Sequence, residues 1–205
     1  MFTARTPRYH GAMTDSFRRY LRALPDFPPD LPEFDPALAP ADPVELFMQW
    51  LDQALAAGEP QPHACSLATA DSAGRPSSRM LILKNIDDDG WHFATSRSSR
   101  KGRELAGNPH AALNFYWPTQ GRQVRVAGPV TALSPEASEA DWQQRPTADG
   151  SPNPQWQLYA IRAEGVEFWQ ARHDRQHIRH RWSKPVDETG GWLGSGWGAK
   201  PETPV

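Results

Sequence analysis

The sequence predicts a mainly β domain with flanking helices, its strands closed into a small barrel. Three observations carry this prediction. From residue 62 onward, apolar runs of strand length alternate with turn-forming clusters. Helical periodicity is confined to short stretches near 43–57, 98–108 and 134–144, with a basic stretch at 174–182 read as one more helix. About six antiparallel strands would expose their edges in an open sheet, and closure removes those edges.

The bulk properties are compatible with a single domain. A chain of 205 residues fits one core. No run approaches the roughly 18 apolar residues of a spanning helix, and the first dozen residues carry no apolar signal segment. The 22 Lys and Arg against 24 Asp and Glu give a net charge of −2, so there is no bulk attraction for nucleic acid or anionic lipid. Any anion must be gripped locally. The one cysteine, Cys65, excludes an internal disulfide framework and a thiolate zinc site, and the chain reads as cytoplasmic. The 21 prolines imply long irregular stretches, and the 9 tryptophans imply a well-filled core.

Taken in order, residues 1–41 form a proline-rich arm, because the prolines of 25–43 remove donors and push their predecessors toward extended geometry. The domain follows over 42–195. Asp42 caps a helix with Pro43 in its first position and Glu45 in its first turn, and Gly58 stops it. Residues 63–70 are a short apolar strand and 71–74 a turn; 77–85 and 91–96 are strands around the Asp-Asp-Asp-Gly turn at 87–90. A short helix at 98–108 precedes a strand at 111–117, a turn at 118–121 and a strand at 123–133. Ser134, Pro135 and Glu136 open a small helix to about Gln144, and a strand spans about 157–169. Residues 196–205 are a loose tail.

Three clusters offer chemistry. Arg79 and Lys84 bracket the apolar Met80, Leu81, Ile82 and Leu83, with Arg79, Leu81 and Leu83 on one face of the strand; the cations are either solvated strand ends or ligands. Thr95 and Ser96 lead into Ser98, Ser99, Arg100, Lys101 and Gly102 at a helix start. Cations there oppose the helix dipole, so a bound phosphate would relieve a cost that a solvated face leaves unexplained. The run Arg172, Arg175, His177, Arg179, His180 and Arg181 reads as a solvated face or a nucleic-acid tail, the neutral net charge favouring the first. His173 and His177 lie four apart, but only Asp174 stands nearby to complete a ligand set, and no metal is expected. Cys65 reads as core rather than nucleophile.

In order along the chain, Arg79 to Lys84, Ser99 to Gly102, Asn108-Pro109, Arg122 to Gly128, Glu167 to Gln170, and Arg175-x-His177-x-Arg179 resemble the successive signatures of the pyridoxamine 5′-phosphate oxidase family, and the phenazine-pathway oxidases are a similar branch. The resemblance spans about residues 40–182. It implies an FMN-binding split β-barrel and a homodimer with FMN at the interface. By the same resemblance, FMN contacts fall to Arg79, Met80, Leu81, Ile82, Leu83, Lys84, Ala94, Thr95, Ser99, Arg100, Lys101 and Gln123, with Trp169 and Arg179 reaching across the interface. Lys84, Arg145, Arg175 and His177 match substrate contacts, and Arg175 with His177 match the pair that closes over the ring.

The departures lie in the substrate half. The family's tyrosine before Arg145-Pro146 is replaced by Asp141, beside Trp142. The serine-bearing loop and longer helix after that pair are missing, and Gly196-Trp197-Gly198 stands where the family has its terminal Arg-Leu-x-Pro. The resemblance therefore implies an FMN-dependent oxidoreductase that transfers hydride from a small ring substrate to FMN N5, with oxygen as acceptor and with pyridoxine 5′-phosphate a poor substrate. The alternatives are a non-catalytic FMN carrier, or a pyridoxamine/pyridoxine 5′-phosphate oxidase with a compensated site.

Overall fold

The computed structural model describes residues 15–184 and 191–197. Helix α1 (Asp15–Arg22) lies in the arm, where no element was expected, and the proline-rich stretch after it forms only a 3₁₀ turn at Pro36–Leu38. Helix α2 (Pro43–Ala56) starts as its sequence dictates: the Asp42 side chain accepts from Val44 N at 2.8 Å and Pro43 occupies the first turn.

Ten strands follow among the described residues: β1 (Ala64–Ala70), β2 (Pro76–Ile82), β3 (Asn85–Asp87), β4 (Gly90–Ser96), β5 (His110–Trp117), β6 (Arg122–Ala132), β7 (Trp156–Ile161), β8 (Gly165–Gln170), β9 (Ile178–Ser183) and β10 (Leu193–Trp197). Helix α3 (Arg100–Gly107) lies between β4 and β5, and α4 (Pro135–Gln143) between β6 and β7. All pairings are antiparallel, and one path runs β10-β9-β8-β6-β5-β1-β2.

The eleven-residue β6 splits the sheet. Its first part, Arg122 to Ala127, pairs with β8, and its last part, Val130 to Ala132, pairs with β7, which continues to β4 and β3. Gly128 sits at the fork. A Cβ there would lie 2.1 Å from the Arg162 carbonyl oxygen, so only glycine lets the two chains come this close.

Three sequence expectations are corrected, the first being the single strand at about 157–169, which is two: β7 ends at Ile161 and β8 starts at Gly165. Residues 174–182 are not a basic helix: 178–183 form β9, because Ile178, His180 and Trp182 share one face, Arg179 and Arg181 share the other, and Trp182 is buried edge-on to Phe168 at 5.2 Å. Nor is 77–85 one strand. The chain breaks at Leu83 and Lys84, so β2 pairs with β1 while β3 pairs with β4. In addition, β10 carries the sheet to Trp197, into the expected tail; residues 198–205 lie outside the described residues.

The core is aromatic. Phe47 of α2 meets Trp91 at 4.6 Å and Phe115 at 4.9 Å, and Trp50 meets Phe168 at 5.0 Å. The tryptophans Trp50, Trp91, Trp117 and Trp182 are all fully buried, as a filled core requires. Buried beside Trp50 is the Arg122 guanidinium, 4.2 Å over the indole. It donates to Gln170 Oε1 at 2.8 Å and Gln53 Oε1 at 2.6 Å, and burial pushes its pKa down to about 10.

Candidate active site

The sequence-derived site residues fall into three groups. The first surrounds the start of α3. Ser99 caps the helix, its hydroxyl accepting from Gly102 N at 3.2 Å and lying 3.2 Å from Thr95 Oγ1 at the end of β4. A Cβ at Gly102 would lie 2.5 Å from the Arg97 carbonyl oxygen and 2.6 Å from that of Ser96, so glycine alone seats this helix end against β4. The first turn contains Arg100 and Lys101 and no acidic residue. Arg79 joins them from β2, on the inward face with Leu81.

The carboxylate of Glu104, which sequence reasoning did not single out, organises this group. Buried on α3, it accepts from Thr69 Oγ1 at 2.5 Å, Ser77 Oγ at 2.7 Å, Arg100 Nε at 2.8 Å and Arg79 Nη2 at 3.2 Å. The hydroxyls of Thr69 and Ser77, then Arg100 and Arg79, hold its pKa at about 2. Arg79 is further fixed by Leu67 O at 3.2 Å, by Thr69 Oγ1 and by Ser77 Oγ. Lys101 is pushed below the usual lysine range, chiefly by burial and then by Arg79. Arg79 and Arg100 share this one carboxylate and Lys101 stands beside them without it, leaving a local positive excess near the helix N-terminus. This donor set fits the phosphate end of FMN, which would relieve the repulsion between Lys101 and Arg79.

The second group is formed by Lys84, Asp141 and Arg145. The chain break after β2 turns Lys84 away from the strand, its backbone N–H donating to His92 O at 2.9 Å. Its Nζ lies 3.2 Å from Oδ1 of Asp141, a buried carboxylate on α4 that also accepts from Trp156 Nε1 at 2.7 Å. Arg145 follows α4 and lies over two indoles, 4.5 Å from Trp156 and 5.4 Å from Trp142. Its Nε is buried with no hydrogen-bond partner.

The third group lies on the outer face of the sheet. Register places Gln123, Trp169 and Arg179 in one row across β6, β8 and β9. Trp169 packs against His177 at 4.7 Å and against Phe27 of the arm at 6.0 Å. Arg175 is held in a left-handed conformation, φ 64°, and its Nη2 lies 2.9 Å from Asp26 Oδ2 of the same arm. His177 Nδ1 accepts from Arg172 N at 3.1 Å. Met80 and Ile82 also face outward and are exposed, whereas Leu81 and Leu83 pack on the core.

One chain does not bring the first and third groups together. Arg79 faces α3, whereas Gln123, Trp169 and Arg179 face the opposite side. From β2 to β8 the path crosses four strand spacings, about 19 Å along the sheet.

Residues 51–170 match the family model described as pyridoxamine 5′-phosphate oxidase, and residues 156–198 match that of the pyridoxine 5′-phosphate oxidase C-terminal dimerisation region. The pyridoxine/pyridoxamine 5′-phosphate oxidase of Methylibium petroleiphilum is 38% identical, with 78% of this chain and 90% of that protein covered. Its counterpart from Salinibacter ruber is 37% identical, with 74% and 86% covered. Among solved structures, PhzG from Burkholderia lata, in complex with tetrahydrophenazine-1-carboxylic acid, superposes with a TM-score of 0.75 at 27% identity, covering 83% of this chain and 98% of that one. An FMN-binding protein from Nostoc punctiforme, related to pyridoxamine 5′-phosphate oxidase, has a TM-score of 0.63 at 20% identity, covering 82% and 100%, and shares the fold.

Proposed function

This chain belongs to the pyridoxamine 5′-phosphate oxidase family of FMN-dependent oxidases, and from that premise we propose that its substrate is a ring compound other than pyridoxine 5′-phosphate. One observation carries the reading: Lys84 Nζ lies 3.2 Å from Asp141 Oδ1. The cation that would take a substrate phosphate is already paired, and the carboxylate that pairs it would repel the phosphate.

Arg79, Ser99, Arg100 and Lys101 would hold the FMN phosphate, with Ala94 and Thr95 lining the adjoining strand. Met80 and Ile82 on the outer face, and Leu81 and Leu83 behind them, would shape the flavin strand. In a homodimer, Gln123, Trp169 and Arg179 would line the flavin ring, the last two from the partner subunit. When bound, FMN supplies a ring that takes a hydride at N5 and passes the electrons to oxygen. Arg175 and His177 would close over the substrate, with Trp169 fixing the imidazole plane. Arg145, over Trp142 and Trp156 with its Nε unpaired, offers an anion a single guanidinium beside two aromatic rings. Such a pocket suits a larger ring acid of the kind bound to PhzG. A cytoplasmic location belongs to the same reading, since nothing in the described residues is long and apolar enough to cross a membrane as a helix.

The test is steady-state oxidation of pyridoxine 5′-phosphate beside tetrahydrophenazine-1-carboxylic acid. A kcat/KM for the vitamin phosphate of about 10⁴ M⁻¹s⁻¹ or more would overturn the substrate reading. It would favour the second reading, a pyridoxine 5′-phosphate oxidase, which the names of the 38%-identical relatives support. The cofactor grip is checked separately: Arg100→Ala with Lys101→Ala should leave a colourless protein after purification with added FMN.

A further inference from the structure

The turn between β3 and β4 holds a group of side chains that the flavin chemistry does not use. Asp87, Asp89 and His92 each bring one ligand-type atom within 4.8 Å of the others. The carboxylates are exposed, but His92 is only 4% exposed, and its Nε2 is buried without a hydrogen-bond partner. That nitrogen nevertheless lies 2.9 Å from Asp87 Oδ1. A close approach without hydrogen-bond alignment is what two ligands of one cation show. With bonds of about 2.1 Å, nitrogen and oxygen sit about 3.4 Å apart at the tetrahedral angle and about 3.0 Å apart at the right angle of six-coordinate geometry, so the observed spacing fits an ion that keeps waters in its remaining positions.

The surroundings hold the ligands in place. Asn85 Nδ2 donates to Asp87 Oδ2 at 2.8 Å and Asp89 N donates to Asp87 Oδ1 at 2.9 Å. The register Asn85 to His92 and Asp87 to Gly90 pins both arms of the turn.

We propose that Asp87, Asp89 and His92 form a divalent-cation site, with water in the remaining positions. A ligand set of one imidazole and two carboxylates favours a zinc-class ion over magnesium or calcium, which prefer oxygen ligands throughout. The ion would clamp the hairpin whose His92 carbonyl receives the Lys84 N–H, which makes the site structural and not catalytic.

The experiment titrates Zn²⁺ into the chelator-treated, FMN-loaded protein by calorimetry and records Tm in parallel. One ion bound per chain with a rise in Tm is expected. Asp89→Asn removes one exposed ligand and should fold normally, retain FMN and weaken Zn²⁺ binding at least tenfold. His92→Val removes the buried ligand and should abolish binding; because it could also perturb folding, Asp89→Asn is the deciding variant. Absence of saturable binding, unchanged affinity in Asp89→Asn, or equal binding of Mg²⁺ would each overturn the proposal.

Discussion

Replacing Asp141 with asparagine removes the charge at the position proposed for the substrate, with little change in shape. The asparagine carbonyl can still accept from Trp156 Nε1, so the indole keeps a partner for its N–H. What is lost is the negative charge 3.2 Å from Lys84 Nζ. The Lys84 side chain is 25% exposed, so it can swing free at little cost. A freed ammonium can make one charge-assisted hydrogen bond to a phosphate, worth about 1.5–3 kcal/mol. Since each 1.4 kcal/mol is tenfold, kcat/KM for pyridoxine 5′-phosphate should rise roughly 10- to 150-fold. Steady-state oxygen consumption measures it, with flavin absorbance confirming equal cofactor loading. An unchanged or lower kcat/KM in a fully loaded, normally folded variant would refute the view that Asp141 blocks phosphate at this position.

Three other outcomes follow from the geometry. Glu104 titrates at about 2 in the folded protein against an ordinary 4.5, so its contribution is complete above about pH 4.5 and drains away as the pH falls toward 2. In Glu104→Gln the acid limb of the Tm profile should therefore be shallower than wild type across that window, and superimposable profiles would contradict the assignment. Gln170→Leu takes from buried Arg122 one of its two neutral acceptors and should cost about 1.5–3 kcal/mol in urea unfolding, part of which Arg122→Met should restore in the double variant. Burial pushes the Cys65 thiol up to about 12, so it should not react with a thiol reagent at pH 8 until the protein unfolds.

What could be read from the residues depended on how local the determining interaction is. The caps of α2, α3 and α4 lie within three residues of the groups they satisfy; Asp42 and Ser134 were legible as helix starts, whereas Ser99 fell inside the helix expected from residue 98. The β9 strand was not legible, because its two arginines and its histidine resemble a solvated helix until Trp182 is seen packed on Phe168. The cluster of Ser99, Arg100 and Lys101 at the start of α3 was legible, but the carboxylate that organises it was missed. The spacing of Arg100 and Glu104, four apart on a helix, was the available signal. Asp141 stood out as a departure, but its partner Lys84 lies 57 positions away and meets it only through the turn after β2 and the packing of α4 on β7. The arm's hold on Arg175 through Asp26 spans a still longer separation, and nothing in either segment's composition announces it.

The separation of the cradle from Trp169 and Arg179 has a genetic consequence. In the proposed dimer each active centre takes its cradle from one subunit and its Trp169 and Arg179 from the other. Lys101→Ala and Arg179→Ala should therefore be complementing lesions. Either homodimer would be defective at both centres, but a mixed dimer has one centre with both defects and one with neither. Co-expressed in equal amounts with random pairing, the two should recover about a quarter of wild-type activity from parents that have almost none.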